Sequence, residues 1–248
     1  MTPSDQGQTL EFKKIGESTW PVEMRGGTMR SIRRARDLRK AALVSLVAMA
    51  AVCPPVVPSA QAVTGYAPAN AAAYADKWAK NANTGTYIAY SDDCTNFVSQ
   101  ALKAGGYKQV GSFSASGWPD TSTAHWWVYL PSAPSPIQYN SNTWSVATEL
   151  RNFLLHTGKP PIKPVGSVPG STTRQLSGIK QGDLLWYDWN NTGVSHVTIQ
   201  VGNGTDPDKG YVGNYIDEHT SNRYHAFWSL YPYNSQWKTT KIYLYTFQ

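Results

Sequence analysis

Residues 182–202 read GDLLWYDWNNTGVSHVTIQVG. Two apolar, aromatic and β-branched runs flank the turn-forming Asn190-Asn191-Thr192-Gly193, which is the pattern of an antiparallel hairpin. The same texture continues downstream. NGTDPDKG at 203–210 is a second turn, YVGNYI follows at 211–216, and TTKIYLYTF at 239–247 closes the chain. The C-terminal third is therefore a sheet built by antiparallel pairing.

Upstream the period changes from two to that of a helix. NAAAYADKWAKN at 70–81 predicts a helix capped by Asn70, with Ala73, Tyr74, Lys77 and Trp78 on one stripe. SDDCTNFVSQALKAGG at 91–106 carries signals at both ends. Asp92 or Asp93 can cap its start, Gly105 can take a left-handed position after its end, and Phe97, Val98, Ala101 and Leu102 form an apolar stripe. A third helix is expected from Trp144 to about His156, with Val146, Leu150, Phe153 and Leu154 turned inward and Gly158 ending it. Residues 110–142, rich in Ser, Pro, Gly, Trp and Tyr, read as an irregular excursion of the kind that forms lids or binding surfaces. Residues 159–181, with Pro160, Pro161, Pro164 and Pro169, read as a second connection. Helices first and an antiparallel sheet afterwards make an α+β fold.

The N-terminal part has another purpose. From Met29 a basic stretch, MRSIRRARDLRK, leads into an apolar run from Ala41 to Val57 and then Ala60-Gln61-Ala62, a small-residue cleavage site. These are the three parts of a secretory signal peptide. The apolar run is shorter than the ~20 residues a membrane span needs and ends in Pro54 and Pro55. Cleavage after Ala62 makes residues 63–248 a single domain that leaves the cytoplasm without stable membrane insertion. Residues 1–28 are polar, lack apolar periodicity and lie upstream of the point where a leader should begin.

Removing the leader changes the charge balance. Of the 22 Lys and Arg, nine lie in residues 1–62, as do five of the 16 Asp and Glu, so the rest carries 13 basic and 11 acidic side chains and a net +2. No basic stripe remains for nucleic acid. Cysteine usage is more informative. Cys53 lies in the apolar run, preceded by Ala51-Val52, a poor match to a lipidation site. Beyond it the chain has one cysteine, Cys94. An exported protein cannot use a lone thiol for an internal disulfide, so Cys94 is either a small buried hydrophobe or reactive.

Its position favours reactivity. Cys94 stands at the start of a predicted helix, where unpaired N–H groups and the helix dipole favour thiolate and can hold an oxyanion. A thiol nucleophile needs a base. Of the five histidines, His196 opens a strand after a tight turn and is held there by rigid sheet. His219 follows the next strand and can orient the imidazole of His196. His125, in AHWW, lies within the excursion, and His156 and His225 read as surface or packing residues. There is no H-E-x-x-H, no C-x-x-C and no Gly-rich phosphate loop, so no metal or other cofactor is expected. DPDKG at 206–210 is too short for a calcium loop and reads as a turn.

DDCTNFVSQALKAGG, the AAAYADKWA helix before it, the Trp144 helix and GDLLWYDW…SHVTIQVGNG together resemble the putative amidase domain family of secreted bacterial proteins. That family belongs to the papain-like superfamily, with the NlpC-type and CHAP cell-wall hydrolases. The resemblance covers nearly all of residues 66–220. It implies a papain-like fold with N-terminal helices packed on a C-terminal antiparallel sheet. It also implies Cys94 as nucleophile, His196 as base and a polar third residue on the strand after His196. The family's His-Thr pair matches His219-Thr220, which carries the third role to His219. Asp217 and Glu218 crowd the same place and either carboxylate could orient His196 instead, with Asn214, within the preceding strand, a further possibility.

Two further residues have readings of their own. Asp93 is a helix cap, or it positions a substrate amine or holds the loop before Cys94. Tyr90 is a packed aromatic or an oxyanion donor through its hydroxyl. The expected function is that of a monomeric secreted cysteine amidase or peptidase acting on peptidoglycan or another extracellular peptide. A transglutaminase-like acyl transferase and a non-catalytic cell-wall-binding module are the rival classes.

Overall fold

The computed structural model describes residues 65–131 and 137–248. The leader assigned to 29–62, with its cleavage site, the polar residues 1–28 and Cys53 lie outside the described residues, as do residues 132–136 of the excursion. Among the described residues, no helix is long and apolar enough to cross a membrane.

The first helix, α1, spans Pro68–Trp78. It begins two residues before the expected Asn70 cap because Pro68, whose φ is preset for a helix and which has no N–H to leave unsatisfied, occupies the first turn. Its buried face is Ala71, Ala72 and Ala75 rather than the stripe through Ala73. Those small side chains let α2 (Cys94–Ala104) approach closely. A Cβ on Gly105 would lie 2.9 Å from both the Ala71 Cβ and the Tyr66 ring. Gly105 thus serves close packing at φ −71, and Gly106, at φ 84, takes the left-handed position instead.

The expected third helix is two: α3 (Asn142–Ser145) and α4 (Ala147–His156). The break is Val146, which is extended (φ −116, ψ 122) and exposed rather than buried. Leu150, Phe153 and Leu154 of α4 are buried as expected.

A two-stranded ribbon, β1 (Val128–Tyr129) with β2 (Tyr139–Asn140), lies in the excursion. The main sheet has β3 (Ile162–Pro169), β4 (Leu184–Asp188), β5 (Val194–Thr205), β6 (Val212–Glu218), β7 (Arg223–Phe227) and β8 (Lys241–Phe247). Its order is β3-β8-β4-β5-β6-β7, with every pair antiparallel. The class is α+β, as the sequence predicts. The sequence pattern does not predict β3 or β7, and both are edge strands. β3 tolerates Pro164 and Pro169 because an edge strand need donate hydrogen bonds on one side only.

Both faces of the sheet are covered, which explains why all five residues of β4 are buried. Leu184 and Trp186 join Val197 and Ile199 of β5 in a core with Ala71, Phe97, Val98 and Leu150 from the helices. On the other face Leu185 and Tyr187 pack with Ile216, Ile242, Leu244 and residues of the connections, including Leu176, Trp228 and Leu230. At about 25 cal/mol per Å² of apolar surface buried, these rings and branched chains are the main stabilising term, and they make the central strands a rigid support.

Candidate active site

Cys94 is the first residue of α2 and is 6 % exposed. The first backbone bond of the helix runs from Phe97 N–H to Asp93 O at 2.9 Å, so the N–H groups ahead of Phe97 have no helical partner. The Sγ lies 3.6 Å from Thr95 Oγ1 and 4.0 Å from the Ser195 carbonyl oxygen, which sets the thiol beside the start of β5.

His196 is the next residue on that strand. Its Nε2 is 2.6 Å from Glu218 Oε2, and its ring lines the same cleft as Cys94, near enough for imidazole and thiol to shift one another's titration. With Nε2 taken by the carboxylate, Nδ1 is left for the sulfur. Tyr187, directly opposite His196 in the β4–β5 register, sets its ring edge-on at 5.5 Å from the imidazole, and Trp189 lies at 6.1 Å. Glu218 is itself fixed: its Oε1 accepts from Arg223 Nη1 at 3.1 Å.

The electrostatics follow from this arrangement. Burial opposes the charge on Cys94, but the hydrogen bond and charge of His196, with help from Thr95 and the Val197 backbone, prevail and hold the thiol below its ordinary value. Burial likewise opposes protonated His196. Its bonds to Cys94 and Glu218 and the charge of both outweigh that and push it up to about 9. Thiolate and imidazolium therefore favour one another, and the carboxylate favours the imidazolium.

The cleft over these groups has a volume of about 500 Å³ and is lined by Cys94, His196, Glu218, Asp92, Trp189 and Arg223, among others. Asp92 also borders a second cleft of about 360 Å³, whose walls include Tyr90, Trp118, Gln138 and Asn140 from the excursion and its approaches.

Three of the candidate residues stand differently from expectation. His219 does not touch His196. Its Nδ1 is 2.6 Å from Asp93 Oδ2, its Nε2 is 2.8 Å from the Trp78 carbonyl oxygen, and its ring stacks on Phe97 at 4.0 Å. Both nitrogens are occupied, so His219 ties the end of α1 to the start of α2, and Glu218 is the residue that orients His196. Asn214 and Asp217 are engaged elsewhere: Asn214 donates to Gln200 Oε1 and Asn203 Oδ1, and Asp217 accepts from the His225 N–H.

Asp93 occupies the cap position but makes no side-chain cap bond. Its Oδ1 accepts from the Tyr90 N–H at 3.0 Å and from Asn96 Nδ2 at 2.8 Å, so it holds the loop before Cys94. The Tyr90 hydroxyl lines the second cleft, donating to Asn140 Oδ1 and accepting from Gln138 Nε2. His125, half exposed, pairs with Asp120 at 2.8 Å. The sequence pattern alone does not single out Tyr187, Trp189 or Arg223. The aromatic pair has a signal in the alternation of the hairpin's first arm, whereas Arg223 has none.

Comparison with known proteins adds an independent line. Two curated proteins of Bacillus subtilis (strain 168) are similar over about half of the chain. Uncharacterized protein YhbB is 30 % identical over 129 residues, covering 52 % of this chain and 34 % of its own length. Uncharacterized protein YjcM is 31 % identical over 134 residues, covering 54 % and 25 %. The chain thus spans about a third or less of the curated relatives it matches. No solved structure matches it. The model of the family described as "Putative amidase domain" matches residues 65–245, which take in Cys94, His196 and Glu218 together, and the chain belongs to that amidase-domain family.

Proposed function

We propose that this protein is a secreted cysteine hydrolase of the papain-like kind that cleaves an amide bond in peptidoglycan or another extracellular peptide. The observation that carries this reading is the grouping of Cys94 at the head of α2, His196 and its hydrogen-bonded partner Glu218 in a single cleft. The family description supports hydrolysis of amide bonds in general, and the leader pattern at 29–62 supports export.

In this mechanism the Cys94 thiolate attacks the amide carbonyl carbon. Free N–H groups at the first turn of α2 stabilise the oxyanion. His196, held by Glu218, gives its proton to the leaving nitrogen as the C–N bond breaks and a thioester forms. His196 then takes a proton from water as that water attacks the thioester, and Cys94 is released. Tyr187 and Trp189 keep the imidazole in one orientation. The second cleft, with Trp118 and five amide or hydroxyl side chains, suits a flanking part of a peptide or glycopeptide.

Digestion of wall fragments and peptides with the secreted form, which is expected to begin at Val63, followed by mass analysis, tests the reading. New amine and carboxyl termini are expected. Fragments bound but left intact would establish a binding module. Cross-linked products on adding a primary amine, at the expense of new carboxyl termini, would establish an acyl transferase.

A further inference from the structure

Glu218 is flanked by two residues that hold other elements. His219 reaches α1 and α2, while Asp217, two residues earlier, meets Asp76 of α1 and His225 of β7. One ligand atom from each of Asp76, Asp217 and His225 lies within 4.8 Å of the other two. His225 Nε2 is 2.9 Å from Asp76 Oδ1. Asp217 is fully buried, and although its Oδ1 accepts from the His225 N–H at 2.7 Å, its Oδ2 has no donor. A buried carboxylate oxygen left without a partner is costly. The cost is compounded by a second carboxylate, Asp76, whose ligand oxygen lies within 4.8 Å of that of Asp217. Among the described residues, neither carboxylate pairs with a lysine or arginine.

His225 is held for contact with both acids. It adopts a left-handed conformation (φ 50), which turns its N–H to Asp217, and its ring stacks on Tyr224 at 3.8 Å and on Tyr215 at 5.4 Å. Asp76 and His225 are each about a third exposed, which leaves a path for an ion and room for water to complete its coordination. Metal–ligand distances of about 2.0–2.2 Å place neighbouring ligand atoms roughly 3–3.5 Å apart, so small side-chain rotations suffice to close the set.

We propose that Asp76, Asp217 and His225 bind a divalent metal ion of the zinc class, clamping α1 to the β6–β7 hairpin. Two carboxylate oxygens and an imidazole nitrogen suit Zn²⁺ and similar ions. Calcium and magnesium prefer all-oxygen sets. The ion satisfies Asp217 Oδ2 and offsets the paired negative charge. Because Asp217 immediately precedes Glu218, it also fixes the strand end that carries the carboxylate against His196. The site is separate from the thiol chemistry and stands whether or not that chemistry is right.

The test uses the full chain with Cys53→Ser and Cys94→Ser, which removes thiols as competing ligands, stripped with chelator and titrated with zinc chloride alone. Equilibrium dialysis and thermal melting are the readouts. One tightly bound equivalent and a rise in Tm are expected. Adding Asp217→Asn or His225→Gln is expected to weaken binding by roughly tenfold or more and to abolish the rise. Zinc bound equally well by these variants would place the ion elsewhere and overturn the proposal. No zinc bound by the parent would overturn it too, and would leave a proton shared between Asp76 and Asp217 as what satisfies Oδ2.

Discussion

Cys94→Ala and His196→Ala are each expected to lower turnover of a cleavable amide by about 10⁴-fold or more, and the double variant is expected to be no slower than either alone. The reason is that nucleophile and base act as one unit. Without the imidazole, the larger of the influences that oppose the burial of Cys94 is gone, which favours the thiol over the thiolate. Without the sulfur, the imidazolium has nothing to activate. Initial rates for the two single variants and the double variant decide the matter. Losses that multiply in the double variant would mean that the residues act in separate steps.

Glu218→Gln is expected to cost roughly 10²–10⁴-fold in kcat, because an amide neither attracts the imidazolium nor enforces the same tautomer. His219→Ala is expected to behave differently. Its ring fills the space over Phe97 and bridges Asp93 to the Trp78 carbonyl, so its loss leaves a buried carboxylate short of a partner. Leaving a buried carboxylate short of a hydrogen-bond partner costs about 1–3 kcal/mol or more, which should appear as a clear fall in Tm. The kcat of His219→Ala, measured well below its own melting transition, should stay far closer to wild type than that of Glu218→Gln. The reverse order would return the orienting role to His219.

Why the sequence points to His219 is visible in the register of β5 and β6. Near the turn, Thr205 pairs with Val212 and Gly202 with Tyr215. Continued without interruption, that register sets His219 opposite Thr198, the diagonal neighbour of His196 from which a side chain can reach it. A bulge between Gln200 and Gly202 shifts the pairing by one residue, so that Ile199 faces Asp217. The next step sets Glu218 opposite Thr198. A one-residue slip moves each side chain to the other face of the strand, which exchanges the roles of Glu218 and His219. Gly202, a glycine inside the strand, is the one trace of that bulge in SHVTIQVG, and it does not say which way the register moves.

Other features are more legible. The hairpin at 182–202 is evident because its alternation and turn chemistry agree. α2 is evident because its apolar stripe and terminal glycines agree, and the pair Cys94 and His196 follows from those two elements alone. The edge strands β3 and β7 carry no such signal, for physical reasons. One is interrupted by prolines, and the other, RYHAF, has partly exposed residues and no clean alternation. The Asp76, Asp217 and His225 cluster is also invisible in the sequence, since its members come from a helix and two strands that only the folded sheet brings together.

The most direct measurement is the rate at which iodoacetamide alkylates Cys94 in the folded protein as a function of pH, in wild type and in His196→Ala. The thiol of wild type lies below its ordinary value, and His196 stays protonated up to about 9. Thiolate is therefore present from a pH below that of a free cysteine and is paired with imidazolium until about pH 9. The account predicts a wild-type inflection below that of free cysteine. In His196→Ala the inflection should move up from the wild-type position, since the imidazole is gone while burial remains. Alkylation that requires denaturation, or the same inflection in both proteins, would contradict a paired, reactive Cys94.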